Sequence, residues 1–182
     1  MRYLLIIMML IAGGCASKAV LNDRVTFDSE QRFRQIDMRE KGVISLDNES
    51  KDLFVAEYPS GFVGAAAQVR FDLGSLFDSY LKQAMFYSGA SGEKAEYKLN
   101  IIDFEYTFSG TAAAAAQREF DYCKMDIEFV NNDNPGVRYR FSDFTDIPSA
   151  EILSSSGKGR AITETVEKIV QRFLIAVSGA VP

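Results

Sequence analysis

The sequence predicts an α+β fold in which an antiparallel sheet carries two amphipathic helices on one face. Apolar residues recur at three- and four-residue steps in two stretches, they alternate with polar residues in others, and each pattern is apolar on one side only. An element that is apolar on one side must bury that side against another, so the helices need the sheet beneath them.

Short strands come first. Gly42 to Leu46 and Leu53 to Tyr58 read as strands separated by the polar run Asp47 to Asp52, whereas Ser29 to Lys41 fits either a strand or a short helix. The first long helix spans Asp72 to Tyr87. Leu73, Leu76, Phe77, Tyr80, Leu81, Ala84 and Met85 form its stripe, Asp78, Ser79, Lys82 and Gln83 its wet side, Asp72 its N-cap and Gly89 its stop. A three-stranded meander follows. Tyr97, Leu99 and Ile101 alternate, then Ile102, Phe104, Tyr106 and Phe108 continue in the opposite phase, which predicts a bulge or burial on both faces. Cys123, Met125, Ile127 and Phe129 alternate with Tyr122, Lys124, Asp126 and Glu128. Beyond the turn residues Asn134-Pro135-Gly136, Val137, Tyr139 and Phe141 alternate with Arg138, Arg140 and Ser142. The second helix runs from about Arg160 to Ser178, with Ile162, Val166, Ile169, Val170, Phe173, Leu174 and Val177 on one face and Glu164, Glu167, Lys168, Gln171 and Arg172 on the other.

At 182 residues the chain is sized for one domain. It contains no His, which excludes His-based triads and His-ligated metal centres. A formal net charge of −5 leaves no basic excess to neutralise phosphates, so nucleic acid is not an expected partner. No catalytic constellation, metal-ligand set or cofactor motif is expected, and the carboxylates Asp103, Glu105, Asp143 and Asp146 read as solvated faces.

Met1 to Cys15 reads MRYLLIIMMLIAGGC: one cation at Arg2, an apolar run, then small residues leading into a cysteine. As a helix, Tyr3 to Gly14 would span about 18 Å, short of a hydrocarbon core of about 30 Å, so the segment reads as a secretory signal and not as a permanent span. Ile11-Ala12-Gly13-Gly14-Cys15 resembles the lipobox of bacterial lipoproteins, with Ala12 where Leu is commonest. The resemblance implies a signal peptide at 1–14, acylation of Cys15, a tether over 15–24 and a single periplasmic domain over 25–182. It also implies anchoring by three acyl chains, palmitate among them, and, since Ala16 and not Asp follows the cysteine, an outer-membrane location facing the periplasm. With Cys15 acylated, Cys123 has no partner for an intrachain disulfide, and its place in the apolar phase of a strand reads as a buried thiol. In element order, roughly residues 60–178 resemble small periplasmic lipoproteins that assist envelope assembly or ABC-type transport, the YajG-like lipoproteins and the lipopolysaccharide-assembly lipoprotein among them.

Candidate contact residues lie in two places. Ala112, Ala113 and Ala114 begin a run of alanines to Ala116 where a tight hairpin would use Gly, Asn or Asp, so the segment reads either as a loop touching a partner or as a plain hairpin tip. Arg138 and Arg140 are cations on an acidic domain that would meet a charged partner if their strand lies at a sheet edge. Ser60 to Ala67 and Ser154 to Arg160 read chiefly as connections. Phe104, Tyr106 and Phe108 form either a core face or one wall of a groove for an apolar ligand. The expected function is a non-catalytic, membrane-anchored adaptor or assembly factor of an envelope machine, touching another envelope protein or a second copy; the alternative is a periplasmic carrier of a lipid.

Overall fold

The computed structural model describes residues 17–18, 21–57, 69–108, 120–148 and 159–179. The strand β6 (Phe120–Asn131) organises them. From Asp121 to Val130 its odd residues are buried and its even ones are not, the period of a strand with one face in the core. Strands β5 (Lys94–Phe108) and β7 (Arg138–Pro148) flank it in antiparallel register, which is the expected meander. A register shift between Ile101 and Asp103 supplies the bulge that the change of phase on β5 requires.

A fourth strand, β2 (Val43–Leu46), joins β5 in parallel, so the sheet is mixed, in the order β2-β5-β6-β7. Parallel neighbours need a long crossover. Here it is the chain from α2 (Asn48–Lys51) through β3 (Val55–Glu57), β4 (Val69–Phe71) and α3 (Leu73–Tyr87). β4 pairs antiparallel with β3 on one side and parallel with β1 (Ser17–Lys18) on the other, in the order β1-β4-β3. This small second sheet packs against the far end of β5, where Phe71 meets Tyr106 edge-on at 5.0 Å and Phe104 at 6.3 Å.

The helices α3 and α4 (Arg160–Ser178) cover the face that carries Cys123, Met125, Ile127 and Phe129, and a shorter helix, α1 (Phe27–Arg34), packs across both. Aromatic side chains fill the interface. Phe173 of α4 stacks on Phe129 of β6 with ring centroids 4.0 Å apart and planes 1° from parallel, while Tyr97, Tyr139 and Phe141 meet Phe173 at steep angles. Phe77 brings α3 to the same cluster.

Local chemistry sets several boundaries. The side chains of Thr26 and Asp47 cap α1 and α2 by accepting from the amides of Ser29 and Ser50. Asp72 stands at the N-cap position of α3 but makes no cap, because its carboxylate is held 2.8 Å from Arg70 Nε. Two residues expected on wet faces are buried. Asp78 is 8% exposed and paired with Lys82, and Glu167 is 6% exposed because α1 arrives on that side of α4, where the Thr26 amide and hydroxyl both donate to its Oε1.

The expected tether over Ala16 to Arg24 is tied down in part. β1 lies within it, the carbonyls of Asn22, Asp23 and Arg24 accept bonds from Tyr80, Ser79 and Gln83 of α3, and Leu21 packs against the core.

Gly74 allows α3 to touch α2 backbone to backbone. A Cβ there would stand 2.0 Å from the Ser50 carbonyl oxygen. Gly74→Ala is therefore expected to destabilise the fold by about 1–3 kcal/mol in urea unfolding, through overpacking against main chain that has no rotamer to change. Phe173→Ala should cost about 3–5 kcal/mol by the same measurement, since it empties the centre of the aromatic cluster.

Candidate functional site

The helix α4 begins with a glycine, Gly159, at φ +85°, and so has no side-chain cap of its own. The cap comes from β6. Asp121 Oδ2 accepts from the Ala161 amide at 3.0 Å, while the neighbouring Tyr106 hydroxyl accepts from the Gly159 amide at 3.1 Å. Asp121 is fully buried and its Oδ1 has no hydrogen-bonding partner. Burial raises the pKa of its carboxyl above the usual range, against the opposing pull of the Ala161 amide. Burial also pushes the Tyr106 hydroxyl above the ordinary phenol range, and the adjacent Asp121 carboxylate adds to that shift.

Beside this cap lies a cavity of about 640 Å³ between the 21–26 segment and the start of α4, lined by Asp23, Thr26, Tyr80, Arg160, Glu164 and Glu167 among others. Burial and the nearby charges of Glu167 and Asp23 raise the Tyr80 hydroxyl pKa as well. Arg160 is paired with Glu164 at 2.8 Å. The walls mix carboxylates, hydroxyls and the Arg160 cation with apolar surface from Leu21. Of the aromatic residues that read as either a core face or a groove wall, Tyr106 is 9% exposed and Phe104 half-buried, both packed against Phe71 in the core, while the side chain of Phe108 lies outside the described residues.

The candidate contact residues separate into two groups. Cys15, Ala112, Ala113 and Ala114 lie outside the described residues, as do Ser60 to Ala67 and Ser154 to Lys158. Arg138 and Arg140 are exposed, and β7 is an edge strand of its sheet. Their charges are already engaged. Arg140 makes a two-point contact with Asp126 of β6, and Arg138 donates to the Pro135 carbonyl at 2.8 Å with Glu128 at 4.0 Å. The hydrogen-bonded Arg140 guanidinium holds Asp126 below the usual carboxylate range.

The edge of β7 is itself partly covered. Arg172 of α4 donates to the Ser142 carbonyl and Lys168 to the Phe144 carbonyl, both at 3.1 Å, and the Phe144 amide is satisfied by Asp143. Strand addition along the middle of β7 would have to displace these groups. Periodicity placed Lys168 and Arg172 on a wet face of the helix, but only the tertiary arrangement shows that this face overhangs the sheet edge.

Among the described residues no three His, Cys, Asp or Glu side chains converge as metal ligands, and no helix is long and apolar enough to cross a membrane. What the geometry defines is an α+β domain whose charged groups largely hold one another in place. No family model matches the chain, and no curated protein matches it. Among solved structures it is similar to protein XCC0632 from Xanthomonas campestris, of the family DUF330, at 11% identity and a TM-score of 0.39 over 90% of this chain and 92% of that one. It is similar also to a candidate lipoprotein from Caulobacter crescentus CB15, at 14% identity and a TM-score of 0.37 over 85% and 98% of the two chains. Both likenesses are too distant to carry an argument about function.

The Asp121 cap gives a signed pH dependence. Unfolded, this carboxyl ionises near pH 3.9; folded, it keeps its proton to higher pH, so its contribution to stability is largest below the unfolded pKa and falls as pH rises through the folded one. Asp121→Asn keeps an acceptor for the Ala161 amide and should flatten that fall in urea unfolding measured across a pH series. Asp121→Ala removes the acceptor and is expected to cost about 1–2 kcal/mol.

Proposed function

We propose that this protein is a non-catalytic lipoprotein, anchored through acylated Cys15 in the outer membrane and facing the periplasm, which serves as an adaptor or assembly factor for a larger envelope machine. The observation that carries the reading is the sequence Ile11-Ala12-Gly13-Gly14-Cys15 at the end of a short apolar run, two residues ahead of the first strand of the folded domain. Each buried acyl methylene contributes about 0.8 kcal/mol, so an anchor of several chains resists dissociation where a single chain would not. The described carboxylates support the non-catalytic part of the reading. Of the candidate acids, Asp103 faces Lys124 and Asp143 faces Arg172, and the neighbouring Asp126 faces Arg140. The acidic domain, once freed of Arg2 with its signal peptide, is not drawn onto anionic lipid by net charge, so its attachment rests on the acyl anchor.

The test is carried out in cells. Labelled palmitate should enter the wild-type protein, which should sediment with outer membranes, and Cys15→Ser should abolish both. Crosslinking followed by affinity capture should then yield one reproducible envelope partner from wild type and lose it with Cys15→Ser. A wild-type protein that takes up no label and stays soluble overturns the anchor. One that is acylated yet captures nothing beyond itself overturns the adaptor role.

A further inference from the structure

The small sheet β1-β4-β3 has an exposed face whose position relative to Cys15 is fixed by chain length. Ser17 is paired in parallel with Val69, and Lys18 with Arg70. Two residues of chain reach at most about 7 Å, so Cys15 lies within that distance of a strand built into the domain. The headgroup layer of one leaflet is itself only roughly 5–8 Å thick. A cysteine whose acyl chains enter the bilayer therefore keeps β1 within about 7 Å of the headgroup layer, and β4 lies one strand spacing, about 4.8 Å, from β1.

The residues presented there suit such a surface. Arg70 projects from the side of β4 opposite the buried Phe71 and is exposed, with its Nε paired to Asp72 at 2.8 Å and its guanidinium carbon 3.8 Å from the ring centroid of Phe54. Phe54 is 50% exposed and immediately precedes β3. An aromatic ring beneath a cation matches the headgroup layer, where rings meet the acyl boundary and cations meet phosphates. Phe86, although 78% exposed, sits near the C-terminus of α3, about 20 Å along that helix from its start beside β4.

We infer that the exposed face of the β1-β4-β3 sheet rests on the lipid surface, with Phe54 and Arg70 in the headgroup layer, so that the domain is held in one orientation and does not swing on a tether. The inference depends on acylation of Cys15 and adds to it a face and a direction. The turn between β6 and β7, with Asp133 exposed, lies at the opposite end of the main sheet, eight residues or about 26 Å along β6 from Cys123, which pairs with Tyr106. That end points away from the membrane and is the one offered to other proteins.

The full-length acylated protein, purified from membranes, is placed in vesicles of phosphatidylethanolamine and phosphatidylglycerol. Phe54→Cys and Asp133→Cys each receive an environment-sensitive fluorophore; the fully buried Cys123 is shielded from the reagent. The probe at 54 should shift to the blue and be quenched by spin labels carried near the lipid headgroups, while the probe at 133 should do neither. Equal quenching at the two positions, or stronger quenching at 133, overturns the orientation. Hydroxyl-radical footprinting of the unsubstituted protein gives the same answer without a label: Phe54 should lose most of its oxidation on vesicles while Phe86 keeps its own, and equal oxidation of Phe54 with and without vesicles overturns the inference. A protein that carries no acyl group by mass spectrometry and fails to bind vesicles overturns instead the anchor on which it rests.

Discussion

The parallel stack of Phe129 on Phe173 fixes the position of α4 on the sheet, and the rest of the architecture depends on that placement. Two rings at 4.0 Å leave no room for water or for sliding, so the helix sits in one register over β6 and β7. Tyr97, Tyr139 and Phe141 close the ring's edges from three strands, and Phe77 ties α3 to the same point. Among the described residues there is no disulfide and Cys123 is a buried thiol, so this cluster bears the work that a covalent staple performs in many secreted proteins.

Once α4 is placed, its polar groups acquire partners that they could not have found locally. Its first turn takes a cap from β6 through Asp121, Glu167 receives α1 at Thr26, and Lys168 and Arg172 reach over the edge of β7. One helix thus binds three other elements by its polar side, while its apolar side packs on the sheet and on α3. The opposite edge of the sheet is treated differently: the Ile44 amide of β2 donates to the Met85 sulfur of α3. Both edges are therefore covered by helices, one with charge and the other with a soft acceptor.

Periodicity made the long elements legible. Seven residues of the α4 stripe and four of the β6 core face stood out because each belongs to an amphipathic pattern longer than two turns or two pleats, and the phase change on β5 pointed to its bulge. Elements of three or four residues showed only in part: β2 and β3 fall within the strands expected at Gly42 to Leu46 and Leu53 to Tyr58, but two others left no signal. Val69–Phe71 has no repeat from which to read a period, and Asn48–Lys51 is polar throughout, a helix made by the Asp47 cap and by the tertiary bond from Leu99 to Ser50. Parallel pairing of β2 was hidden for a related reason, since register across a long crossover leaves no local trace. At the candidate site the chemistry of Arg138 and Arg140 was visible but their partners were not. Which acid a surface cation meets depends on a neighbouring strand, and Asp126 and Glu128 became those acids only through the β6-β7 register.

The cation caps on β7 also bear on how these molecules behave when crowded. Growth of a sheet from copy to copy begins with an edge whose carbonyls are free to accept, and here the central ones are already occupied by side chains of the same chain. A second copy must first break those bonds before gaining its own, which sets a barrier against fibre formation without any change to the core. Because the caps are ionic and partly exposed, that barrier is lower in concentrated salt than in dilute buffer.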